Sequence, residues 1–334
     1  MKKWHKIIII LGVIALTVVL LLSLLSYRPV PERITYGMSF NTLYAEELGL
    51  DWRETYDAII EDLGVRHLRL AAHWDLIEPG KDFYDFSEID YQVNEASARG
   101  VDMVVGVGRR LPRWPECHTP RWASDLSWEE QKVEIREMIK TVVNRYKDNE
   151  NILYWQVENE PYLTVFGKEY CGEFDEVFLK EEIALVKELD PGRPILLTDS
   201  GNLGTWAGAY KNSDVFGTSV YVYFWNENVG PFKSVLPPAY YRLKYNLARL
   251  WYGPKTALLI ELSAEPWLLQ PIVETPIETQ RERMNLEKFE NIIAFARKTG
   301  FDTQYLWGAE WWYWLKEQGD DDFWRRAQEL YKEE

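Results

Sequence analysis

The chain has 334 residues, of which 46% are hydrophobic and 27% charged, and this composition excludes a disordered or low-complexity protein. Lys and Arg number 38 against 53 Asp and Glu, so the net charge is −15, and a nucleic-acid partner is not expected because the protein repels phosphate backbones. The 16 Trp residues are more than one core buries completely, so we expect some of them to face a ligand.

The N-terminal residues predict a membrane anchor. Three lysines among the first six residues precede an unbroken apolar run over residues 7–25, which is about 28 Å long as a helix and spans a bilayer. A cleaved secretory signal, with a shorter apolar region and a small-residue cleavage site, is the alternative. The positive-inside rule places the N terminus in the cytoplasm and the later residues outside it. We assign residues 1–27 to a cytoplasmic stub and transmembrane anchor, and 28–33 to a stiff linker.

The two cysteines of the chain, Cys117 and Cys171, lie in the part predicted to be outside the cytoplasm, where disulfides form and persist. We expect them to pair, and two unrelated thiols are the alternative. Two thiols and three scattered histidines in that part do not make a zinc site. We therefore expect neither a metal nor a cofactor.

After residue 33, short β-rich runs alternate with longer amphipathic runs. Eight strands are predicted at 34–40, 67–74, 101–108, 152–157, 194–199, 215–221, 255–261 and 303–308. Helices are predicted at 52–63, 87–98, 128–146, 174–189, a short stretch near 206, 240–251, 278–298 and 322–332. Strands that alternate with helices form a parallel sheet through right-handed crossovers, and eight such units fit one closed (β/α)8 TIM barrel of the α/β class. We assign residues 34–334 to this barrel.

Carboxylates lie at the ends of the predicted fourth and seventh strands. Asn159-Glu160-Pro161 follows the fourth strand, and Glu261 ends the seventh. In a TIM barrel the catalytic residues lie at the C-terminal ends of the strands. Glycoside hydrolysis needs two carboxyl groups beside the scissile bond, about 5–5.5 Å apart for retention and about 6.5–9.5 Å apart for inversion. The sequence therefore predicts a glycosidase that acts on an oligo- or polysaccharide.

With these motifs at these strand ends, residues 34–334 resemble the retaining glycoside hydrolases of clan A, which include cellulase-like and β-galactosidase-like families. The resemblance implies a double-displacement mechanism in which Glu160 is the acid/base and Glu261 the nucleophile. It also implies that Asn159 contacts the sugar 2-hydroxyl. Glu265, four residues after Glu261, remains the alternative nucleophile.

Five further residues are candidate substrate contacts. By the same resemblance, Arg69 matches the arginine near the nucleophile, Tyr221 the tyrosine that touches it, and Trp307 the aromatic floor under the cleaved sugar. The stretch that begins at Trp74 resembles the loop after strand two of such enzymes. Trp114 is included because an aromatic side chain in a loop at the barrel mouth can stack on a sugar, with ordinary packing as the alternative.

Two other classes of function compete with a membrane-anchored, extracytoplasmic retaining glycosidase. A non-catalytic carbohydrate-binding protein on the same barrel needs neither glutamate, whereas both are present. A metal-dependent barrel hydrolase needs His and Asp ligands at several strand ends, and the three isolated histidines do not supply them. The expected partners are therefore a saccharide substrate and the lipid bilayer, and the sequence does not predict an oligomeric state.

Overall fold

The computed structural model describes residues 2–165, 167–226, 229–268 and 270–332. Met1 and residues 333–334, which the predicted domain bounds include, lie outside the described residues. Eight parallel strands close into a barrel, and helices connect them. The predicted (β/α)8 TIM barrel is therefore confirmed.

The barrel strands are numbered in chain order. They are β1 (Thr35–Ser39), β2 (His67–Ala71), β3 (Asp102–Val107), β4 (Ile152–Val157), β5 (Ile195–Asp199), β6 (Val215–Val220), β7 (Ala257–Ser263) and β8 (Thr303–Trp307). The ring closes where β1 pairs in parallel with β8, from Thr35 opposite Thr303 to Ser39 opposite Trp307. All eight C-terminal strand ends therefore meet at one mouth.

The connecting helices agree with the predicted pattern in most places. They span Thr42–Glu47, Trp52–Glu61, Trp74–Ile77, Ser87–Ala98, Trp128–Tyr146, Lys168–Cys171, Glu176–Leu189, Ala207–Asn212, Pro238–Tyr252, Ile277–Arg283, Leu286–Thr299, Ala309–Glu317 and Asp322–Lys332, with short 3-10 turns at Arg121–Ala123 and Ile272–Glu274. The single helix predicted over 278–298 is two helices. The second begins after Asn285, whose side chain accepts the backbone N–H of Lys288 and caps the helix.

An antiparallel hairpin, which the sequence pattern did not reveal, follows β6. Its strands are Tyr223–Asn226 and Gly230–Lys233, and Tyr223 pairs with Lys233. The hairpin is separate from the barrel sheet. It is short and rich in aromatic residues, and it stands in the loop between β6 and the next helix, on the side of the barrel where the strands end.

Buried apolar side chains form two clusters. The larger combines side chains of the strands with those of the surrounding helices, and the smaller consists of strand residues alone: Val104, Leu196, Val215, Leu258, Ile260 and Tyr305. Gly37 on β1 lies directly against the ring of Tyr305, where a Cβ atom would be 2.5 Å from the ring. Only glycine fits that position, because the barrel interior is filled by packed side chains.

The N-terminal helix, Lys2–Leu25, has a mean hydropathy of 3.2 over its most apolar part, none of which is buried. Among the described residues it is the one helix long and apolar enough to cross a membrane. The chain then meets the barrel at once. The guanidinium of Arg28 lies 4.0 Å from the ring of Tyr245 and 4.8 Å from that of Phe301. Cation–π contacts thus pack Arg28, the first residue of the predicted linker 28–33, against the barrel.

Cys117 and Cys171 form a disulfide, with Cα atoms 5.3 Å apart, so the predicted pairing is confirmed. The bridge joins the loop after β3 to the short helix Lys168–Cys171 after β4. Arg109 supports the same junction, because its guanidinium donates a hydrogen bond to the backbone carbonyl of Cys171. The two loops are thus tied together on the side of the barrel where the strands end.

Replacing both cysteines by serine is expected to lower the free energy of unfolding by about 2–4 kcal/mol, because the bridge restricts the unfolded chain. The measurement is chemical denaturation of the full chain in non-ionic detergent. The wild-type protein with reductant should approach the double variant, which serves as its control. Equal stability of the oxidised wild type and the double variant would contradict this expectation.

Candidate active site

Glu261 lies within β7, and Arg69 of β2 reaches it across the barrel. The Nη1 atom of Arg69 is 2.6 Å from Oε1 of Glu261, and both side chains are almost fully buried. The other two nitrogens of Arg69 donate to Gln156 at 2.8 Å and to Asn159 at 2.7 Å. A guanidinium engaged at all three nitrogens has one orientation, so it holds a fixed positive charge beside the Glu261 carboxylate.

The second oxygen of Glu261 accepts a hydrogen bond from the hydroxyl of Tyr221, at 3.1 Å. Tyr221 directly follows β6, whose residue Ser219 pairs with Glu261 in the sheet. Burial and the charge of Glu261 raise the pKa of the Tyr221 hydroxyl well above its ordinary value. The phenol therefore remains a hydrogen-bond donor across the ordinary pH range.

Glu160 lies in the turn after β4 and is held by the next two strands. Its backbone N–H donates to the hydroxyl of Thr198 on β5 at 2.7 Å, and its Oε1 accepts a hydrogen bond from Ser219 on β6 at 2.7 Å. The backbone of Glu160 has φ of 43°, and that of Glu158 has φ of 57°. Non-glycine residues rarely adopt such values, and each costs on the order of 1–3 kcal/mol. The surrounding contacts offset this strain and fix the direction of the Glu160 carboxyl.

The carboxyl groups of Glu160 and Glu261 have different environments. Burial, and next the charge of Glu261, raise the pKa of Glu160 well above its ordinary value. Glu261, in contrast, is bonded to a guanidinium and a phenol. Both side chains retain a small exposed fraction, 8% for Glu160 and 5% for Glu261. The arrangement supplies a proton donor and a directed carboxylate at one mouth, as acid and nucleophile chemistry requires.

Asn159 links the two glutamates. Its Oδ1 accepts hydrogen bonds from Arg69, from Thr198 at 3.1 Å and from Gln156 at 3.3 Å, which leaves its amide nitrogen as the donor. That amide hydrogen-bonds to Glu116, a third carboxylate in the loop after β3. Burial raises the pKa of Glu116, and the charge of Glu261 raises it further. Glu116 was not predicted, because it lies inside a loop and not at a strand end.

Two other polar residues of this site were not predicted as such. Gln156 and Thr198 orient Arg69, Asn159 and the Glu160 backbone, as described above. Each is a polar residue inside a strand that is otherwise mainly apolar. This feature of the sequence could have identified them as members of the site. Ser219 also occupies such a position. Buried polar side chains of this kind are hydrogen-bonded, so a polar residue in a buried strand points to a network.

Glu158 has a structural place beside the site. Its two carboxylate oxygens accept the backbone N–H groups of Arg109 at 2.7 Å and Arg110 at 2.6 Å. Gly108, with φ of 118°, passes so close that a Cβ atom would lie 2.4 Å from a Glu158 oxygen. Glu158 therefore anchors the start of the loop after β3.

Trp307 ends β8, and its indole N–H donates to Oε1 of Glu265 at 2.8 Å. Arg113 binds the same oxygen at 3.1 Å. Glu265 thus lies in a separate network from Glu261, whose partners are Arg69 and Tyr221. Trp307 remains half-buried.

The two remaining tryptophan candidates differ in exposure. Trp74 is fully buried, and its indole N–H donates to Glu78 at 2.8 Å. The prediction that Trp74 contacts substrate is therefore wrong, because its ring packs against Trp122 beneath the loop. Trp114 is 61% exposed and packs edge-on against Tyr170, so its predicted contact with a sugar stays a prediction.

Glu160→Gln is expected to change how thermal stability depends on pH. In the folded chain the pKa of Glu160 lies well above the ordinary value of 4.5. Between these two pKa values the unfolded chain releases the proton and the folded chain keeps it, so wild-type stability falls as pH rises through this window. Gln has no such proton. The melting temperature of the variant minus that of the wild type should therefore increase as pH rises. Melting curves from about pH 4 to 9 test this, and a constant gap would contradict it.

Known proteins match part of the chain by sequence and most of it by fold. Residues 62–169, from just before β2 to the loop after β4, match the model of Glycosyl hydrolase family 10. Beta-galactosidase BgaA of Clostridium cellulovorans is 24% identical over 171 residues, 46% of this chain and 25% of its own. Beta-galactosidase LacZ of Lactobacillus acidophilus is 27% identical over 125 residues, 32% of this chain and 18% of its own. The matches thus span a quarter or less of these curated relatives.

Solved structures resemble the chain over most of its length. GH5_18 from Bifidobacterium longum subsp. longum has a TM-score of 0.59 and 13% identity, over 83% of this chain and 70% of that one. The exo-beta-1,4-mannosidase Op5Man5 from Opitutaceae bacterium strain TAV5 has a TM-score of 0.53 and 15% identity, over 82% of this chain and 51% of that one. At these identities the likeness shows the fold alone. The chain is therefore a TIM barrel, and its residues 62–169 resemble Glycosyl hydrolase family 10.

Proposed function

We propose that this chain is a membrane-anchored glycosidase that hydrolyses β-glycosidic bonds with retention of configuration. The observation that carries the proposal is the pairing of a carboxyl with a raised pKa, Glu160, and a carboxylate held by Arg69 and Tyr221, Glu261, at one barrel mouth. The charge of Glu261 contributes to the raised pKa of Glu160, which supports a close spacing of the two groups.

In the first step, the Glu261 carboxylate attacks the anomeric carbon while Glu160 gives its proton to the leaving oxygen. The bond to the leaving group breaks, and a glycosyl ester forms on Glu261. Arg69 and Tyr221 hold Glu261 in the direction of attack. The assignment of Glu261, and not Glu265, is supported by these two contacts, because Glu265 is bound by Trp307 and Arg113 instead.

In the second step, water hydrolyses the ester. Once Glu261 is esterified its charge is gone, so the pKa of Glu160 falls and its carboxylate accepts a proton from the attacking water. The water oxygen binds the anomeric carbon, Glu261 leaves as a carboxylate, and Glu160 is protonated again. We assign to Asn159 a hydrogen bond to the sugar 2-hydroxyl, from the second N–H of the amide nitrogen whose other N–H is bound to Glu116, with Trp307 beneath the sugar ring.

The choice of β-glycosides is supported by the relatives. The curated proteins that match the sequence are named beta-galactosidases, and a structural neighbour is named an exo-beta-1,4-mannosidase. Galactose and mannose differ in the configuration of two hydroxyl groups, so the proposal covers the β configuration of the bond and not the sugar.

The proposed location is the outer face of a cytoplasmic membrane, with Lys2–Leu25 as the anchor and residues 34–334 as the catalytic unit. The length and apolar character of the helix support it. The intact mass of the chain purified from membranes tests this part. A complete N terminus agrees with an anchor, and loss of about the first 27 residues would show a cleaved signal instead.

The test of the chemistry uses the full chain in non-ionic detergent with a panel of aryl β-glycosides. Proton NMR at early times identifies the anomer of the released sugar. We expect the β-anomer to form first, and an α-anomer would show inversion. Sugar binding without hydrolysis of any substrate would favour the second candidate, a non-catalytic carbohydrate-binding protein. The exposed tryptophans support this candidate, because they offer rings on which a sugar can stack.

A further inference from the structure

A cavity of about 310 Å³ opens between the hairpin after β6 and the segments around Trp267 and Lys288. We name it the hairpin cavity. It adjoins the proposed cleavage site, because Tyr221, which bonds to Glu261, packs edge-on against Trp267 with ring centroids 5.3 Å apart. Glu265, the partner of Trp307, also lines it. A saccharide in the cleavage site would therefore extend directly into the hairpin cavity.

Aromatic rings form one side of the hairpin cavity. Trp267 is 37% exposed and Phe232 is 41% exposed. Phe224 connects them, with ring centroids 5.8 Å from Trp267 and 5.4 Å from Phe232. Partly exposed rings in a cavity of this size offer apolar surface to the C–H face of a sugar ring. This wall suits a saccharide unit.

Three cations, Lys233, Arg283 and Lys288, line the same cavity. The ammonium groups of Lys233 and Lys288 lie 5.7 Å and 5.3 Å from the ring of Tyr223. Within the part of the chain that the structure describes, none of the three forms an ion pair, but the ammonium of Lys288 donates to the backbone carbonyls of Glu282 at 2.5 Å and Arg283 at 3.2 Å. Burial, and next the charge of Arg283, lower the pKa of Lys288, while the charges of Glu282 and Glu287 oppose this shift.

This cluster stands out against the charge of the molecule. The chain carries a net charge of −15, so its general field repels anions, and an anion would be retained only where cations gather. Two carboxylates also line the hairpin cavity, Glu282 and Glu265. Glu265 is bound to Arg113 through one oxygen, and its other oxygen is buried without a hydrogen-bond partner among the described residues. That oxygen is an acceptor for a sugar hydroxyl.

We propose that the hairpin cavity is a second saccharide subsite, and that it binds an anionic sugar unit next to the sugar whose bond is cleaved. The unit carries a carboxylate or sulfate group that Lys233, Arg283 and Lys288 bind, while Trp267 and Phe232 cover its ring. This inference rests on the proposed function, because it places the anionic unit in the same saccharide chain as the cleaved bond.

Affinity gel electrophoresis of the full chain in non-ionic detergent tests the subsite. Its probes are β-linked polysaccharides that share the cellulose backbone: carboxymethyl, sulfated and hydroxyethyl cellulose. We expect at least one acidic polymer to retard the wild type at least 10-fold more strongly than its uncharged counterpart. The comparison of carboxymethyl with sulfated cellulose identifies the preferred anion. In the double variant Lys233→Gln/Arg283→Gln the preference should be lost.

Lys298→Gln/Lys211→Gln is the matched control, because it removes the same charge from exposed positions outside the cavity, and it should keep the preference. Equal retardation by acidic and neutral polymers, no retardation by any polymer, or an unchanged preference in Lys233→Gln/Arg283→Gln would each overturn the proposal. Binding does not require a bond to break. A wild type that binds acidic polymers but hydrolyses no aryl glycoside would therefore refute the proposed function and leave the subsite standing.

Discussion

Glu261→Gln is expected to abolish hydrolysis of every glycoside, with a loss of more than about 10⁴-fold in kcat, the scale seen when other hydrolases lose their nucleophile. The reason is that an amide cannot form the glycosyl ester through which both steps pass. Initial rates with an aryl β-glycoside measure the loss. The Gln amide keeps one oxygen as an acceptor for Arg69, and its NH2 group can donate to the hydroxyl oxygen of Tyr221. The fold should therefore be retained, and circular dichroism checks this.

Azide gives the sharper form of this test. In Glu261→Ala, azide should enter the space of the carboxylate, restore cleavage of an activated aryl β-glycoside and yield the α-glycosyl azide. The matched control is Glu265→Ala, which removes an acid four residues away with a different set of partners, Trp307 and Arg113. It should give a smaller loss without azide rescue. An α-azide from Glu265→Ala, with none from Glu261→Ala, would transfer the nucleophile to Glu265.

Glu160→Gln is expected to slow hydrolysis in a way that depends on the leaving group. Positioned proton transfer contributes about 10²–10⁴-fold, so kcat/KM should fall by that factor for an alkyl or sugar leaving group, which needs the proton. A dinitrophenyl group leaves without protonation, so its cleavage should be nearly unaffected in the first step. The second step then lacks its base, and the glycosyl ester on Glu261 should accumulate to a level visible by intact-protein mass spectrometry.

Ser219→Ala is the comparison for this variant. It removes the hydroxyl that donates to Glu160 at 2.7 Å and leaves the carboxyl in place. The leaving-group dependence should then remain that of the wild type. An equal loss of kcat/KM for dinitrophenyl and alkyl glycosides in Glu160→Gln would remove Glu160 from the acid/base role.

The position of the proposed catalytic mouth follows from the sequence, whereas the contacts around it do not. Asn159-Glu160-Pro161 after β4 and Glu261 in β7 are local patterns, and a barrel brings strand ends to one mouth whatever its loops are. Arg69 and Glu261, however, are 192 residues apart in sequence and 2.6 Å apart in space. The resemblance to clan A suggested that Arg69 and Glu261 form a pair. The positions of the two residues in the sequence do not give the distance between them.

The errors share one physical cause. Trp74 follows β2 as a substrate contact would, but the loop above it turns the ring inward to Glu78 and Trp122. Glu116 is an ordinary loop glutamate in sequence, but the closure of the loop brings it to Asn159. Loop residues have no periodic pattern, so the direction of their side chains is set by packing against other segments.

The sequence by itself determined the alternation of strands and helices, the apolar N-terminal helix and the two strand ends that carry glutamates. Each of these is a periodic or local property that survives without knowledge of distant partners. The tertiary structure alone decided which side chains share the site, the proton affinity of Glu160 and the existence of the hairpin cavity. These depend on burial and on charges brought together from distant parts of the chain, and both arise only when the barrel closes.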